Sequence, residues 1–251
     1  MEKEENKQRS FGLVGKDISY SFSRGYFTKK FEELNLKNHS YVNYDLPTIQ
    51  DFEMIVKEEL HLTGLNVTIP YKEAVIPYLA ELDPMAAEIG AVNTISFTET
   101  GLKGYNTDAY GFKMALQPLL KEQHKKALIL GTGGASKAIA YILSKLGISY
   151  TFVSRTPSED QLGYDALSDA VMAENLVIIN CTPIGTFPDL EAKPAIPYEF
   201  ITEKHLLFDL IYNPERTAFL LEGEAKGATV ANGLKMLEEQ AERAWAIWTG
   251  N

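Results

Sequence analysis

From Ala127 the chain runs through an apolar stretch to Leu130, a glycine turn opening GTGGASKAIAYILSKLG, and a second apolar stretch from Tyr150 to Val153. A strand, a turn into a helix and a second strand make a βαβ unit, whose crossover forces the two strands to lie parallel. Parallel strands must be covered on both faces, so neither an all-β nor an all-α domain accommodates this segment. The same rhythm of short apolar runs and amphipathic stretches continues on both sides, and the fold class expected is α/β.

Upstream, Phe11 to Val14 reads as a first strand, with Phe27, Phe31 and Leu34 following on one helix face. Thr48 and Asp51 resemble an N-cap and an early acidic residue ahead of Phe52, Val56 and Leu60 on a second helix. Leu65, Val67 and Ile69 alternate with Asn66 and Thr68, as in a strand with one polar face, and Pro70 ends that ladder ahead of a loop carrying Lys72. A boundary is expected near Asn106 to Asp108, where a turn leads into a helix through Phe112, Ala115, Leu116 and Leu119. Leu176 to Ile179 and Leu206 to Phe208 read as further strands, and Leu234, Leu237, Ala241, Trp245 and Trp248 line one side of a terminal helix.

The length, 251 residues, allows one large domain or two small ones. Lys+Arg 24 against Asp+Glu 34 leaves a net charge of -10, which argues against nucleic acid and anionic lipid as partners. Cys181 is the only cysteine, so intrachain disulfides and thiolate zinc sites are excluded together. The opening MEKEENKQRS lacks a signal peptide's apolar stretch, and no run of ~18 apolar residues occurs. The expectation is a soluble cytoplasmic protein.

A dinucleotide needs a turn tight enough to bring backbone N–H groups against its pyrophosphate, with a helix N-terminus aimed at the charge. Gly131, Gly133 and Gly134 stand where that demand places them, with Ser136 at the third position of GxGxxG. An ordinary tight βα turn is the competing reading, and the flanking strand and helix weigh against it. About 20 residues on, where an NAD site carries a carboxylate for the ribose, the chain has Ser154, Arg155 and Thr156. A guanidinium suits a 2′-phosphate, which points to NADP, although Arg155 also reads as a solvated charge and Glu159 nearby opposes an anion.

Four polar clusters lie in the first half: Ser21 with Ser23, Asn66 with Thr68, Asn93 with Thr94, and Asn106 with Asp108. Spacing of i, i+2 in an extended segment aims both side chains at one face, a way to grip a small polyhydroxylated ring. Taken singly, each is better read as an N-cap, turn residue or strand-surface group, and only their joint occurrence argues for a ligand. Reducing a carbonyl builds charge on oxygen, so a proton donor is needed; Lys72 is the candidate. Asp108, at an expected helix start, would hold that ammonium, or is simply a cap. No histidine has a partner suggesting a metal site.

In order, these segments resemble the shikimate dehydrogenases. Ser21-Phe22-Ser23 is similar to that family's SxS element, NVTIPYK at Asn66 to Lys72 to its NVTxPxK, GAVNT at Gly90 to Thr94 to its third block, and GYNTD at Gly104 to Asp108 to its GxNTD. GTGGAS resembles its cofactor loop and SRT its adenosine-phosphate clamp. The resemblance implies NADP-dependent interconversion of 3-dehydroshikimate and shikimate, a step of aromatic amino-acid biosynthesis through chorismate. It implies Lys72 and Asp108 as the catalytic pair, and Ser21, Ser23, Asn66, Thr68, Asn93, Tyr212 and Gln240 as further substrate contacts. For the cofactor it implies Gly131, Thr132, Gly133, Gly134 and Ala135, then Ser154, Arg155 and Thr156, with Asn180, Thr182, Leu210 and Gly233. It further implies two α/β domains, residues 1–107 with 233–251 for substrate and a Rossmann-like 108–232 for NADP, with the active site in the cleft between them. Monomer and homodimer both stay open.

The nearest rival is a quinate/shikimate dehydrogenase using NAD, against which Arg155 and Thr156 lean. Methylenetetrahydrofolate dehydrogenase does not account for SxS together with GxNTD. A non-catalytic sensor of NADP or shikimate has no need of the Lys72 and Asp108 pair.

Overall fold

The structure, a computed structural model, describes residues 8–19 and 21–250; the charged residues 1–7 of the opening segment, Tyr20 and Asn251 lie outside the described residues. The chain divides into two compact units, Met1–Thr107 with Ala241–Asn251, and Asp108–Gln240. Among the described residues no helix is long and apolar enough to cross a membrane.

In the first unit, β1 (Arg9–Gly15) is followed by α1 (Phe22–Glu33), β2 (His39–Asp45), α2 (Phe52–Glu58) and β3 (Leu62–Val67). Both neighbours of β1, namely β2 and β3, pair with it in parallel. Phe27 and Phe31 turn one face of α1 into the core, but Leu34 is its C-cap and 50% exposed. The second helix also ends earlier than expected. Thr48 Oγ1 bonds the Asp51 carboxylate instead of capping a backbone N–H, a 3-10 turn precedes α2, and Leu60 lies beyond Glu58, 89% exposed.

The strand expected to show a polar face is β3, and it has none: it is a central strand whose residues from Gly64 to Val67 are all buried, Asn66 included. It stops at Val67, which leaves Ile69 75% exposed. Next come α3 (Tyr71–Ala74), β4 (Glu81–Leu82), α4 (Pro84–Ile89), and a hairpin of β5 (Thr94–Thr98) and β6 (Gly101–Tyr105). The sheet order is β2-β1-β3-β5-β6-β4, with β5 antiparallel to both β3 and β6. Sequence periodicity gave no sign of the hairpin, because its buried residues, Thr94, Ile95 and Gly104, form no apolar run or alternation.

The second unit holds α5 (Thr107–Leu116, its first residue counted with the first unit), β7 (Lys126–Leu130), α6 (Gly134–Lys145), β8 (Ser149–Ser154) and β9 (Gln161–Gly163). After these come α7 (Asp169–Glu174), β10 (Val177–Asn180), β11 (Leu206–Asp209), α8 (Ala218–Ala225), β12 (Thr229–Ala231) and α9 (Leu234–Thr249). All six strands are parallel, in the order β12-β11-β10-β7-β8-β9. This is the doubly wound dinucleotide-binding order, and it reverses between β7 and β10, the place where such sheets bind ligands beyond the strand ends. Residues 177–180 and 206–209 are buried throughout, as strands covered on both faces must be.

The division between the units falls inside α9, after Gln240, not at 233. The reason is local packing: a Cβ on Gly111 of α5 would lie 3.0 Å from the Gln240 nitrogen and close against the Met236 carbonyl, so this end of α9 is seated on α5. The far end joins the first unit, where Ala241, Ala244 and Trp248 pack with Phe11, Phe27 and Phe31. Gly64 leaves the room that the Trp248 indole fills, and Trp248 Nε1 donates to the Ile95 carbonyl at 3.0 Å. Leu234, expected on the buried side, is 37% exposed.

Candidate active site

The glycine turn follows β7. Gly131 has φ +98, in the left-handed region that a side chain disfavours, and its N–H bonds the Val153 carbonyl at 2.9 Å. Gly133 is the N-cap of α6, with no side-chain cap bond and no acidic residue in the first turn; a Cβ there would meet nothing within 4 Å. A twelve-residue helix therefore starts with an open N-terminus that has no side-chain cap and no acidic residue in its first turn, at the point where strand order reverses. That fits a pyrophosphate. Ser136 is buried, its hydroxyl donating to the Gly133 carbonyl at 2.6 Å, so the third position of the fingerprint is satisfied internally.

Leu130 pairs with Val153, so Ser154, Arg155 and Thr156 emerge beside the glycine turn. Ser154 Oγ accepts the Thr156 N–H at 3.2 Å, and Arg155 and Thr156 are exposed. Burial pushes the Tyr164 phenol up, and the Arg155 guanidinium opposes that shift. Arg155 thus places positive charge within electrostatic reach of the Tyr164 hydroxyl. Glu159 is exposed as well.

Asn180 and Thr182 leave β10 on the other side of the turn. Asn180 is fully buried and turned inward: its Nδ2 donates to Asp209 Oδ1 at 3.0 Å, and its Oδ1 accepts from Thr182 N–H at 3.0 Å and Thr182 Oγ1 at 2.6 Å. Thr182, not Asn180, faces the turn, since a Cβ on Gly131 would sit 3.0 Å from its methyl. Leu210 donates its N–H to the Asn180 carbonyl at 3.0 Å, and Gly233 packs its backbone on the Leu210 carbonyl. Tyr212, half-buried, follows β11, and Gln240 is 7% exposed on α9.

In the first unit the polar residues form one buried network. Tyr41 donates to Asn66 Oδ1 at 2.7 Å, while Asn66 Nδ2 donates to Thr94 Oγ1 at 3.1 Å and the Asn93 carbonyl at 3.3 Å. Asn93 Oδ1 accepts from Thr107 Oγ1 at 3.1 Å and from Thr94 Oγ1 at 3.3 Å. Burial pushes the Tyr41 phenol far up, with a hydrogen bond from Ser23 opposing, so Tyr41 stays a neutral donor. Lys72 sits half-buried on α3, its carbonyl accepting the Val92 N–H at 2.8 Å. Asp108 is 9% exposed in the first turn of α5.

The i, i+2 pairs are not extended ladders. Ser21 is the extended N-cap of α1 and accepts from Ser23 N–H at 3.2 Å, while Ser23 is already helical. Asn66 lies in β3 but Thr68 beyond its end, and Asn106 to Asp108 spans the entry to α5. Helix starts recruit short polar side chains to their orphan N–H groups, and that demand places Ser21. Tyr41, Thr107 and Asp209 were not marked as site residues by sequence reasoning. Only Asp209 left a signal, a lone charge within the apolar run LLFDLIY.

The Shikimate dehydrogenase substrate binding domain model matches residues 13–95. A shikimate dehydrogenase (NADP(+)) of Halothermothrix orenii is 38% identical over 270 residues, spanning 98% of this chain and 92% of the relative. One from Desulforamulus reducens is 34% identical over 265 residues, spanning 97% and 91%. The chain belongs to the shikimate dehydrogenase family. A solved shikimate 5-dehydrogenase from Thermus thermophilus, in complex with NADP(H) and shikimate, superposes with a TM-score of 0.85 at 33% identity, covering 97% of this chain and 94% of that one. In this shikimate dehydrogenase family member, Ser21, Ser23, Asn66, Thr68, Lys72 and Asn93 all fall within the matched substrate-binding span.

Proposed function

We propose that the protein is an NADP-dependent shikimate dehydrogenase, reversibly reducing 3-dehydroshikimate to shikimate on the route to chorismate and the aromatic amino acids. The observation that carries this reading is the open N-terminus of α6, with no acidic residue in its first turn, behind a positive-φ glycine at the strand-order reversal of a chain from this family. The second unit, Asp108–Gln240, chiefly takes NADP, and the first, Met1–Thr107 with Ala241–Asn251, chiefly takes substrate.

Gly131, Thr132, Gly133, Gly134 and Ala135 hold the pyrophosphate, and Ser154, Arg155 and Thr156 the adenosine phosphate. Thr182, Leu210 and Gly233 lie on the nicotinamide side, with Asn180 behind Thr182. Bound NADP supplies the hydride acceptor for shikimate, or in reduced form the donor for 3-dehydroshikimate. As the carbonyl is reduced, the Lys72 ammonium gives its proton to the developing alkoxide, and in the reverse direction Lys72 takes it back. Asp108, in the first turn of α5, is the second member of the catalytic pair. Ser21, Ser23, Asn66, Thr68, Asn93, Tyr212 and Gln240 orient the ring, its hydroxyls and its carboxylate. The single cysteine supports a cytoplasmic setting, as a monomer or homodimer.

The test is a spectrophotometric assay of the purified protein with shikimate and NADP, following the absorbance of the reduced nicotinamide. Parallel arms use quinate and NAD. Higher efficiency on quinate with NAD would make it a quinate/shikimate dehydrogenase, and NADP binding without turnover of either acid would make it a sensor.

A further inference from the structure

Asp209 ends β11 fully buried, and removing a carboxylate from water is costly unless its oxygens are held by donors. Oδ1 accepts from Asn180 Nδ2 at 3.0 Å and from the Ile211 N–H at 3.1 Å, and Oδ2 accepts from Thr217 Oγ1 at 2.6 Å. An ionised carboxylate can only accept, so Asn180 must present its NH2 to Asp209 and its carbonyl oxygen to the other side. On that side stand two donors, the Thr182 N–H and hydroxyl, both bonded to Asn180 Oδ1. Thr182 in turn abuts Gly131 of the glycine turn. With an apolar residue at 209, only the longer contact from Asn180 Nδ2 to the Ile184 carbonyl, 3.4 Å, would still receive that NH2, and a flipped amide would set its NH2 against the Thr182 N–H, two donors facing each other.

We propose that Asp209 is a positioning residue for cofactor binding: through Asn180 it sets Thr182, beside the glycine turn, and through the Ile211 N–H it sets the segment after β11. This deepens the NADP reading of the glycine turn and rests on it. Asp209 acts by fixing the direction of hydrogen bonds two residues away, which separates its effect from bulk stability.

The test uses the full chain, with NADP affinity measured by fluorescence titration without shikimate, and shikimate affinity measured separately by calorimetry. Asp209→Ala is expected to weaken NADP ~10-fold while shikimate affinity holds, the size set by a buried donor left unpaired. In turnover, KM for NADP should rise by more than kcat falls. Asp209→Asn should recover most of the loss, because its carbonyl oxygen still accepts from Asn180 and Ile211 while its NH2 turns to Thr217. Unchanged NADP affinity in a folded Asp209→Ala protein overturns the proposal, as does Asn no better than Ala, or an equal loss for shikimate. If Asp209→Ala does not fold, Thr182→Val cuts the same chain at its far end and should weaken NADP with the same split; no change there also overturns it. Wild-type protein that fails to bind NADP removes the cofactor reading itself and this relay with it, whereas wild-type binding with an indifferent Asp209→Ala removes the relay alone.

Discussion

Asn93 Oδ1 accepts the backbone N–H of Thr107 at 2.6 Å, tying the start of α5 to the loop ahead of β5. Both residues are buried, and Asp108 is the next residue along the helix. Asn93→Ala strips an acceptor from a buried N–H and from two hydroxyls, and should cost about 1–3 kcal/mol of stability. Urea unfolding checks this, and an unchanged midpoint would show that water replaces the lost oxygen.

Lys72→Ala should lower kcat by ~100-fold or more, the scale of a lost general acid, while shikimate still binds. Steady-state turnover paired with calorimetric shikimate binding measures both halves. Unchanged kcat would remove Lys72 from the chemistry.

Arg155 is exposed beside the glycine turn, so its truncation should leave the fold intact. If it holds the 2′-phosphate by charge-assisted bonds, Arg155→Ala lowers the preference for NADP over NAD by ~10–100-fold, with efficiency on NAD nearly unchanged. Equal losses on the two cofactors would place Arg155 elsewhere.

Burial pushes the Asp209 carboxyl up to about 6, against the opposing hydrogen bonds from Thr217, Ile211 and Asn180. A carboxyl raised in the folded state contributes stability that is complete below its ordinary value of 3.8 and is lost as pH rises through about 6. Asp209→Asn cannot titrate, so its stability relative to wild type should grow by on the order of 3 kcal/mol between about pH 4 and pH 7. Urea midpoints across that range give the answer, and a difference independent of pH would mean that Asp209 ionises as freely as in water.

The βαβ unit, the glycine turn and the terminal helix were legible because each is announced by neighbouring residues: apolar runs, three glycines, apolar residues at helical spacing. Element ends were less so. Leu34, Leu60 and Ile69 continue an apolar pattern beyond the helix or strand that would bury them, and periodicity carries no stop signal there. The serine pair at Ser21 and Ser23 was read as extended because spacing alone does not reveal that a helix begins between them.

Sequence alone determined the α/β class, the family resemblance, the order of the polar motifs and the residue types available for chemistry, since all of these are properties of short stretches. Tertiary structure alone decided that Asn66 is buried, that Asn93 holds Thr107, and that Asn180 turns toward Asp209. Those outcomes depend on which strand lies beside which. β3 meets β5 and β10 meets β11 across about 25 residues of intervening chain, and a hydrogen bond at such separation is set by the sheet order and not by the residues next to it.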